Sequence, residues 1–509
     1  MRASLSVAVL ALLAIAGVSG LSGCTGSAES LDGAFLNGGA TSESTAGRDA
    51  PAGGGGSSPA RDTPAAEPTD DGGADAGEGD GAPGDDVGGE DSDGAPVTDG
   101  SDGDALGEEP SAPPDDAPDV DEGGTDEGEP EPDLPDDIQS GTLTAGVFDD
   151  NLNPGVFEAF AEQVFSAEDA QDLPEIALGE RFIISVANEQ GAPVADVRVI
   201  VREPGPATGQ NGDLLDLTTG SDGRVLFATG IDGGAAQEYD VSVVSDDGTQ
   251  TIATATFGAD ASAWEITLDG AASQAPQQLD LAFVIDATGS MGDELEYLKV
   301  EIDNIAAAVA DLFPGVDQRF ALIVYRDQGD IYITKTSDFT GDLNAFRADL
   351  AAQSAAGGGD YPEAMEQALE EAGGLSWRER GTARVLFLVA DAPPHREDAQ
   401  QALDAVLALR AGGVATYPVA ASGVAAEAEL LMRAAAMLTM SQYVFLTDDS
   451  GVGSEHAEPH IPCYHVQRLD QALIRMISNE LSGEALQPAA ADIIRTVGNP
   501  VDGVCVEQQ

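Results

Sequence analysis

Lysine is almost missing from this chain. Lys299 and Lys335 are the only two in 509 residues, and the bases total 21 against 92 acids, a net charge of −71. That field repels nucleic acid and anionic lipid, which excludes DNA, RNA and polybasic membrane contacts; it attracts cations and keeps the chain soluble. Aromatic residues are nearly absent between 25 and about 138, and positions 61 to 140 hold 29 acids against one base, Arg61. Such a stretch cannot bury enough apolar surface to fold, and its like charges extend it. "DSDG" (Asp91–Gly94) and "DGSDGD" (Asp99–Asp104) are fragments of calcium-loop chemistry, but a full loop with its terminal glutamate is lacking. Lacking too are a P-loop, a Ser-His-Asp elbow and any internal repeat of roughly 20–50 residues.

What is present begins with an export pattern. Met1–Arg2 precedes "SVAVLALLAIAGVSG", too short and too rich in small residues for a spanning helix. It ends in "LSGC", which resembles the bacterial lipobox; the alternative is an ordinary secretory signal with a chance cysteine. The resemblance implies a lipoprotein signal peptide over 1–23 and a diacylated Cys24 as the mature N-terminus. It also implies an exported, disulfide-permissive location on the cell envelope or surface, with membrane contact through the lipid anchor only. Thr25 rather than aspartate follows, and in a diderm the same resemblance favours the outer membrane. Residues 24–138 read as a disordered acidic tether that lifts the folded part off the membrane.

Length leaves room for about two or three domains. Residues 139–180 read as an irregular lead-in with one short helix, around "LTAGVFDDNLNPGVFEAF" (Leu143–Phe160). From Arg181 to about 272 short strands alternate with turns: "RFIISVAN", "VRVIV" with Val197, Val199 and Val201 on one face, and "EYDVSVVSDDGTQTIATATF" with Asp247–Gly248 at a hairpin tip. This spacing predicts a β-sandwich over 181–272. Its turns, Gly191-Ala192-Pro193-Val194 and Ser221-Asp222-Gly223-Arg224, resemble those of bacterial immunoglobulin-like or carboxypeptidase-regulatory-like modules, which implies a spacer or a binding surface.

Over 277–485 the period changes. "LDLAFVID", "RFALIVYRD", "ARVLFLVAD", "VATYPVAA" and "QYVFLTD" are continuous apolar runs, as strands covered on both faces require. Helical stretches separate them; in the first, Leu295, Leu298, Ile302, Ile305, Val309 and Leu312 form one stripe. The alternation predicts an α/β, doubly wound, mostly parallel sheet, with ligands at the carboxyl ends of the strands. Residues 486–509 read as a C-terminal tail.

Hard oxygen donors gather at those ends. Asp286 closes the first strand, Thr288 and Ser290 follow at alternate positions, Asp360 closes the loop "AAGGGDYPEAMEQAL", and Asp391 ends "VLFLVAD". Carboxylates with hydroxyls, without sulfur or nitrogen, suit Mg²⁺ first, with Mn²⁺ or Ca²⁺ as alternatives. A bland alternative makes Ser290 the N-cap of a helix and Asp286 a buried strand-end acid. Asp286-Ala-Thr288-Gly-Ser290, with Asp391, resembles the metal-ion-dependent adhesion site of the von Willebrand factor type A domain, and "YRDQGD", "GGGDYPEA" and "DAPPH" resemble a group of exported bacterial type A proteins. The resemblance implies a Rossmann-like fold and a protein partner bound through an acidic side chain at an open metal position. It implies no enzyme. Asp360 stands where that family has threonine, which would weaken acidic-ligand binding and favour metal retention. A phosphate-transferring Asp-x-Asp-x-Thr arrangement is the enzymatic competitor, but position 288 is threonine, so nucleophile and acid are not paired. A structural reading also stands, in which the ion only stabilises an envelope component.

A second cluster is "EHAEPHIPCYH". His456, His460, Cys463 and His465 could offer zinc ligands, although Pro459 and Pro462 work against one helix presenting them. With Cys24 acylated, Cys463 and Cys505 remain, and a disulfide between them is the simpler account.

Overall fold

In this computed structural model the described residues are 139–167, 173–205, 212–245, 248–261, 263–292, 294–359, 361–421, 423–451, 456 and 459–506. The signal peptide, Cys24, the acidic tether, Asp247 and Asp360 lie outside them.

Strand β1 (Thr144–Phe148) corrects the expectation of an irregular lead-in; the expected short helix, α1 (Pro154–Phe165), follows it. β1 lies inside a nine-stranded sheet, antiparallel to two strands from the far end of the chain, and Thr144 meets Thr447 across a separation of 303 residues. Glycine permits this fit, because a Cβ at Gly146 would run into the Phe445 ring. α1 starts on Pro154, whose missing N–H costs nothing there, and buries Phe157, Phe160, Ala161 and Val164 at helical spacing.

The next strands form two small sheets. β2 (Arg181–Asn188), β3 (Arg198–Arg202), β4 (Asp213–Thr218), β5 (Arg224–Ala228), β6 (Glu238–Val244), β7 (Thr251–Gly258) and β8 (Ala263–Leu268) follow in order, with the one-turn α2 (Thr229–Asp232) after β5. One sheet runs β5-β2-β8 and the other β4-β3-β6-β7. They share a core around Trp264, which stacks on Phe182 at 4.5 Å and Phe257 at 5.3 Å.

The chain then returns to the large sheet. β9 (Gln278–Asp286), α3 (Leu295–Leu312), β10 (Asp317–Tyr325), β11 (Thr334–Thr340), α4 (Leu343–Ala351), α5 (Met365–Gly373), β12 (Thr382–Ala390), α6 (Ala399–Ala411), β13 (Ala415–Ala420), α7 (Ala426–Leu438) and β14 (Tyr443–Thr447) alternate much as the apolar runs predict. β15 (Tyr464–Arg468), α8 (Leu469–Ser482) and β16 (Arg495–Val497) complete it, in the order β11-β10-β9-β12-β13-β14-β1-β15-β16. β9, β10, β12, β13 and β14 are parallel, while β11, β1 and β16 run against their neighbours, so the sheet is mixed. Two domain limits change. The large sheet begins before 277 and ends after 485, and 181–272 is an insertion within it.

Alternate residues of β9 feed opposite faces: Leu281, Phe283 and Ile285 one core, Ala282 and Val284 the other. The stripe of α3 is buried as expected except Leu312, which ends the helix and is exposed. The inserted sheets contact the amino edge of the large sheet. There the Gly381 N–H donates to Asp196 at 2.7 Å, and Arg410 on α6 pairs with Asp232 at 2.7 Å. A cavity of about 110 Å³ at this seam is lined by Asp149, Ser221, Arg224, Tyr417 and Glu480 among others. Among the described residues, no helix is long and apolar enough to cross a membrane.

Candidate functional site at the carboxyl edge

β9 delivers Asp286 fully buried to the carboxyl edge, level with Tyr325 of β10. Its Oδ1 accepts from the Thr288 N–H at 2.9 Å and the Thr288 hydroxyl at 2.7 Å, and the Thr288 and Ser290 hydroxyl oxygens stand 3.0 Å apart. The three alternate oxygen residues therefore form one connected row. Thr288 is buried and Ser290 exposed, so the row runs from core to solvent. Residues Gly289–Met291 make a 3₁₀ turn, while α3 starts only at Leu295 and has Glu294 at its N-cap. Ser290 is thus no cap of that helix, and the bland alternative loses its main part.

Asp286 Oδ2 faces the nearby Tyr325 hydroxyl, but the two do not meet in good hydrogen-bond geometry, and among the described residues neither atom has a well-formed hydrogen bond. Burial, then the charge of Asp391, pushes the Asp286 carboxyl up to about 7. Asp391 follows β12 and is also buried. The structure thus brings Asp286, Thr288, Ser290 and Asp391 to one edge. A buried carboxylate costs several kcal/mol unless hydrogen bonds or a cation compensate it, and here the compensation is incomplete.

The second loop adds a residue that the sequence reading missed. Glu363, ahead of α5, is 3 % exposed, and its Oε2 has no partner among the described residues. Burial raises its carboxyl to about 9, helped by Asp286, Asp327, Asp391 and Asp330. The backbone holds it firmly: its N–H donates to Pro393 O at 3.0 Å, and the Ala364 N–H donates to Arg326 O at 3.3 Å. The acid was visible in "GGGDYPEA", but nothing in that string says which carboxylate turns inward.

Glycines let this loop approach the first. The Gly289 N–H donates to Gly357 O at 3.0 Å, and the Ala356 N–H donates to Ala287 O at 3.0 Å. Gly357 and Gly358 have φ of +80° and +72°, a region costly for other residues. A Cβ on Gly358 would lie 2.8 Å from Glu363 Oε1 and 3.3 Å from Thr288 Cβ, so only a hydrogen fills that space. Arg326 ties the loops together through Ala287 O at 3.1 Å and Ser354 O at 3.0 Å. On the far side the Tyr361 hydroxyl donates to Asp391 O and accepts from the Ala425 N–H at 2.8 Å, joining the third and fourth loops.

The alternative zinc set is not assembled. Cys463 and Cys505 are joined in a disulfide with Cα atoms 5.6 Å apart, which removes the thiolate and pins the tail. His456 reaches Asp448 at 2.8 Å and Glu294 at 3.0 Å; burial opposes its charge, but these two carboxylates raise its pKa above the usual range. His460 takes Glu429 at 2.8 Å and stacks on Phe160, while His465 meets Thr496. Among the described residues, no three of His, Cys, Asp and Glu are grouped closely enough to hold a metal by themselves, so any cation at the strand ends also needs the hydroxyls or water.

An open α/β sheet with hydroxyls and carboxylates at its carboxyl edge defines the class of domain. Residues 280–451 match the family model of the von Willebrand factor A domain, and this part of the chain is a domain of that family. A putative ariadne-like RING finger protein of Acanthamoeba polyphaga mimivirus is 34% identical over 119 residues, 23% of this chain and 11% of its own length. An alpha-protein kinase of Dictyostelium discoideum is 32% identical over 136 residues, 26% of this chain and 21% of its own. The chain therefore spans only a small part of these curated relatives. Among solved structures, the conserved hypothetical protein BatB of Bacteroides thetaiotaomicron has a TM-score of 0.30 at 14% identity, covering 40% of this chain and 98% of its own. The pilus adhesin SpaC of Lactobacillus rhamnosus GG, in its open conformation, has a TM-score of 0.28 at 12% identity, covering 44% and 30%.

Proposed function

We propose that this chain is a non-enzymatic, lipid-anchored envelope protein whose type A domain binds a protein partner through a divalent cation. The observation that carries this reading is the row from Asp286 to Ser290. One carboxylate oxygen is fixed by Thr288, from which a line of hydroxyls leads to solvent, and the other is buried without a well-formed hydrogen bond among the described residues. Asp286, Thr288, Ser290 and Asp391 would hold the ion, with Asp360 the fifth residue of the motif. Mg²⁺ fits the few hard donors best, and Mn²⁺ or Ca²⁺ fit the same chemistry. When bound, the ion supplies an electrophilic position that an acidic side chain of the partner can occupy. Thr288 and Arg326 keep the loops in place for it. Export and anchoring through Cys24 rest on the lipobox resemblance, with the acidic tether as spacer and the inserted sheets, immunoglobulin-like or carboxypeptidase-regulatory-like in pattern, as a base.

A second reading has specific support. Buried, uncompensated carboxylates at Asp286 and Glu363 mean that a cation would stabilise the fold whether or not a partner binds. Capture from an envelope extract separates the two. Under the adhesion reading a partner is retained in Mg²⁺ and lost in EDTA, and Asp286→Ala retains none while still folded. Under the stabilising reading EDTA lowers the unfolding midpoint and no partner is retained in either buffer. Cys24→Ala should release the protein from the membrane fraction; retention there would overturn the lipid anchor.

A further inference from the structure

We propose that Glu363 is a cation-binding residue of the second loop, reaching the ion directly or through one bound water. The inference rests on the cation reading above and deepens it.

Three observations converge on this glutamate. It is almost fully buried, and one carboxylate oxygen has no partner among the described residues. Its carboxylate lies against Gly358 on the side facing Thr288, where any larger residue at 358 would separate them. Its neighbours in charge are acids, with Asp286 first, and Arg326 spends its guanidinium on the carbonyls of Ala287 and Ser354. Asp327 has His395 at 2.7 Å and Asp330 accepts the Gly358 N–H at 2.9 Å, but no base among the described residues pairs with Glu363 itself, so its compensating charge is left to come from outside. Because no three acids among the described residues stand at metal-holding distance, Glu363 would reach the ion by side-chain rotation or across a water.

Charge decides the consequence. With Asp286 and Asp391, Glu363 would bring three carboxylates to a dication, leaving the occupied site net negative. A neutral threonine in the second loop would leave it neutral. The site should therefore hold its cation firmly and attract a partner's carboxylate weakly.

Glu366 supplies a matched control. It stands in the first turn of α5, just after Glu363, and is as buried; among the described residues neither of its oxygens has a well-formed hydrogen bond, yet its charged neighbours are Asp398 and His395 rather than Asp286. The test uses the full chain and reads the rise in unfolding midpoint against Mg²⁺ and Ca²⁺ concentration, with Asp286→Ala as background for cations held elsewhere on so acidic a chain. Glu363→Gln, nearly the same shape, should need at least tenfold more cation for the same rise, while Glu366→Gln stays within about twofold of wild type. Equal curves for Glu363→Gln and wild type overturn the proposal, and so does equal weakening in both glutamine variants. A wild-type curve no different from Asp286→Ala overturns the cation reading itself.

Discussion

Asp280 and Asp286 lie on the same strand, point to the same side of the sheet, and are both fully buried. At the amino end Asp280 is surrounded by donors: Arg319 Nε and Nη2 at 2.9 and 2.7 Å, the Arg378 N–H at 2.7 Å and Arg378 Nε at 2.8 Å. At the carboxyl end the well-formed hydrogen bonds to Asp286 among the described residues are the two from Thr288, both on one oxygen; the Tyr325 hydroxyl stands by without good geometry, and the charged neighbour is the acid Asp391. At Asp280 the chain's own few bases neutralise the buried charge. At Asp286 they do not. The two acids thus differ in what compensates them rather than in burial, which is the difference the proposed cation site rests on.

The sharpest way to break that comparison is to remove each acid in EDTA. Asp280→Ala strands two partly buried guanidinium groups and should cost roughly 3–5 kcal/mol in urea unfolding. Asp286→Asn should do the opposite at pH 8, adding on the order of 2 kcal/mol, because an ionised, incompletely compensated carboxylate is gone while Thr288 keeps an acceptor. Equal losses from the two substitutions would erase the distinction.

A pH series sharpens it further. Asp286 and Glu363 have folded pKa values of about 7 and about 9, above those of the unfolded chain, so the folded state holds protons that the unfolded state has released. Their contribution is fully present below about pH 4 and is lost as pH rises through about 7 and then about 9. The metal-free midpoint should therefore fall between pH 5 and 9, and millimolar Mg²⁺ should restore much of the loss. Asp149 and Glu480 at the amino-edge seam, raised to about 6 and about 7 chiefly by burial, add a fall in the same direction that Mg²⁺ leaves untouched. A profile identical with and without Mg²⁺ would assign the whole effect to that seam.

The smallest effect is expected at Ser290, which is exposed and whose hydroxyl meets that of Thr288 among the described residues. Ser290→Ala should change stability by less than about 0.5 kcal/mol, yet reduce the Mg²⁺-dependent midpoint rise several-fold. A large loss of stability without cation would mean that the hydroxyl row is structural.

Much of this edge was legible in advance. Continuous apolar runs ending in an acid are what buried parallel strands look like, so β9 and β12, with Asp286 and Asp391, could be placed from pattern alone. Thr288 and Ser290 followed from spacing. Glu363 did not, because inward orientation depends on Gly357, Gly358 and the Pro393 carbonyl, which come together only in the fold. The histidines show the same limit: closeness in sequence kept shared zinc ligands open as the alternative to the disulfide, whereas each has a different partner drawn from elsewhere in the chain.

By itself, then, the chain's order of residues determined the local periods: which runs are strands covered on both faces, where helices intervene, and which oxygens follow the first strand. Hydrophobic periodicity is a short-range code, and it survives without knowledge of neighbours. Only the tertiary structure decided that "TAGVF" joins β14 and β15, that the small sheets interrupt the large one, and which buried acids meet arginine. Those outcomes depend on contacts between residues as far apart as Thr144 and Thr447, and no local pattern encodes the partner across such a distance.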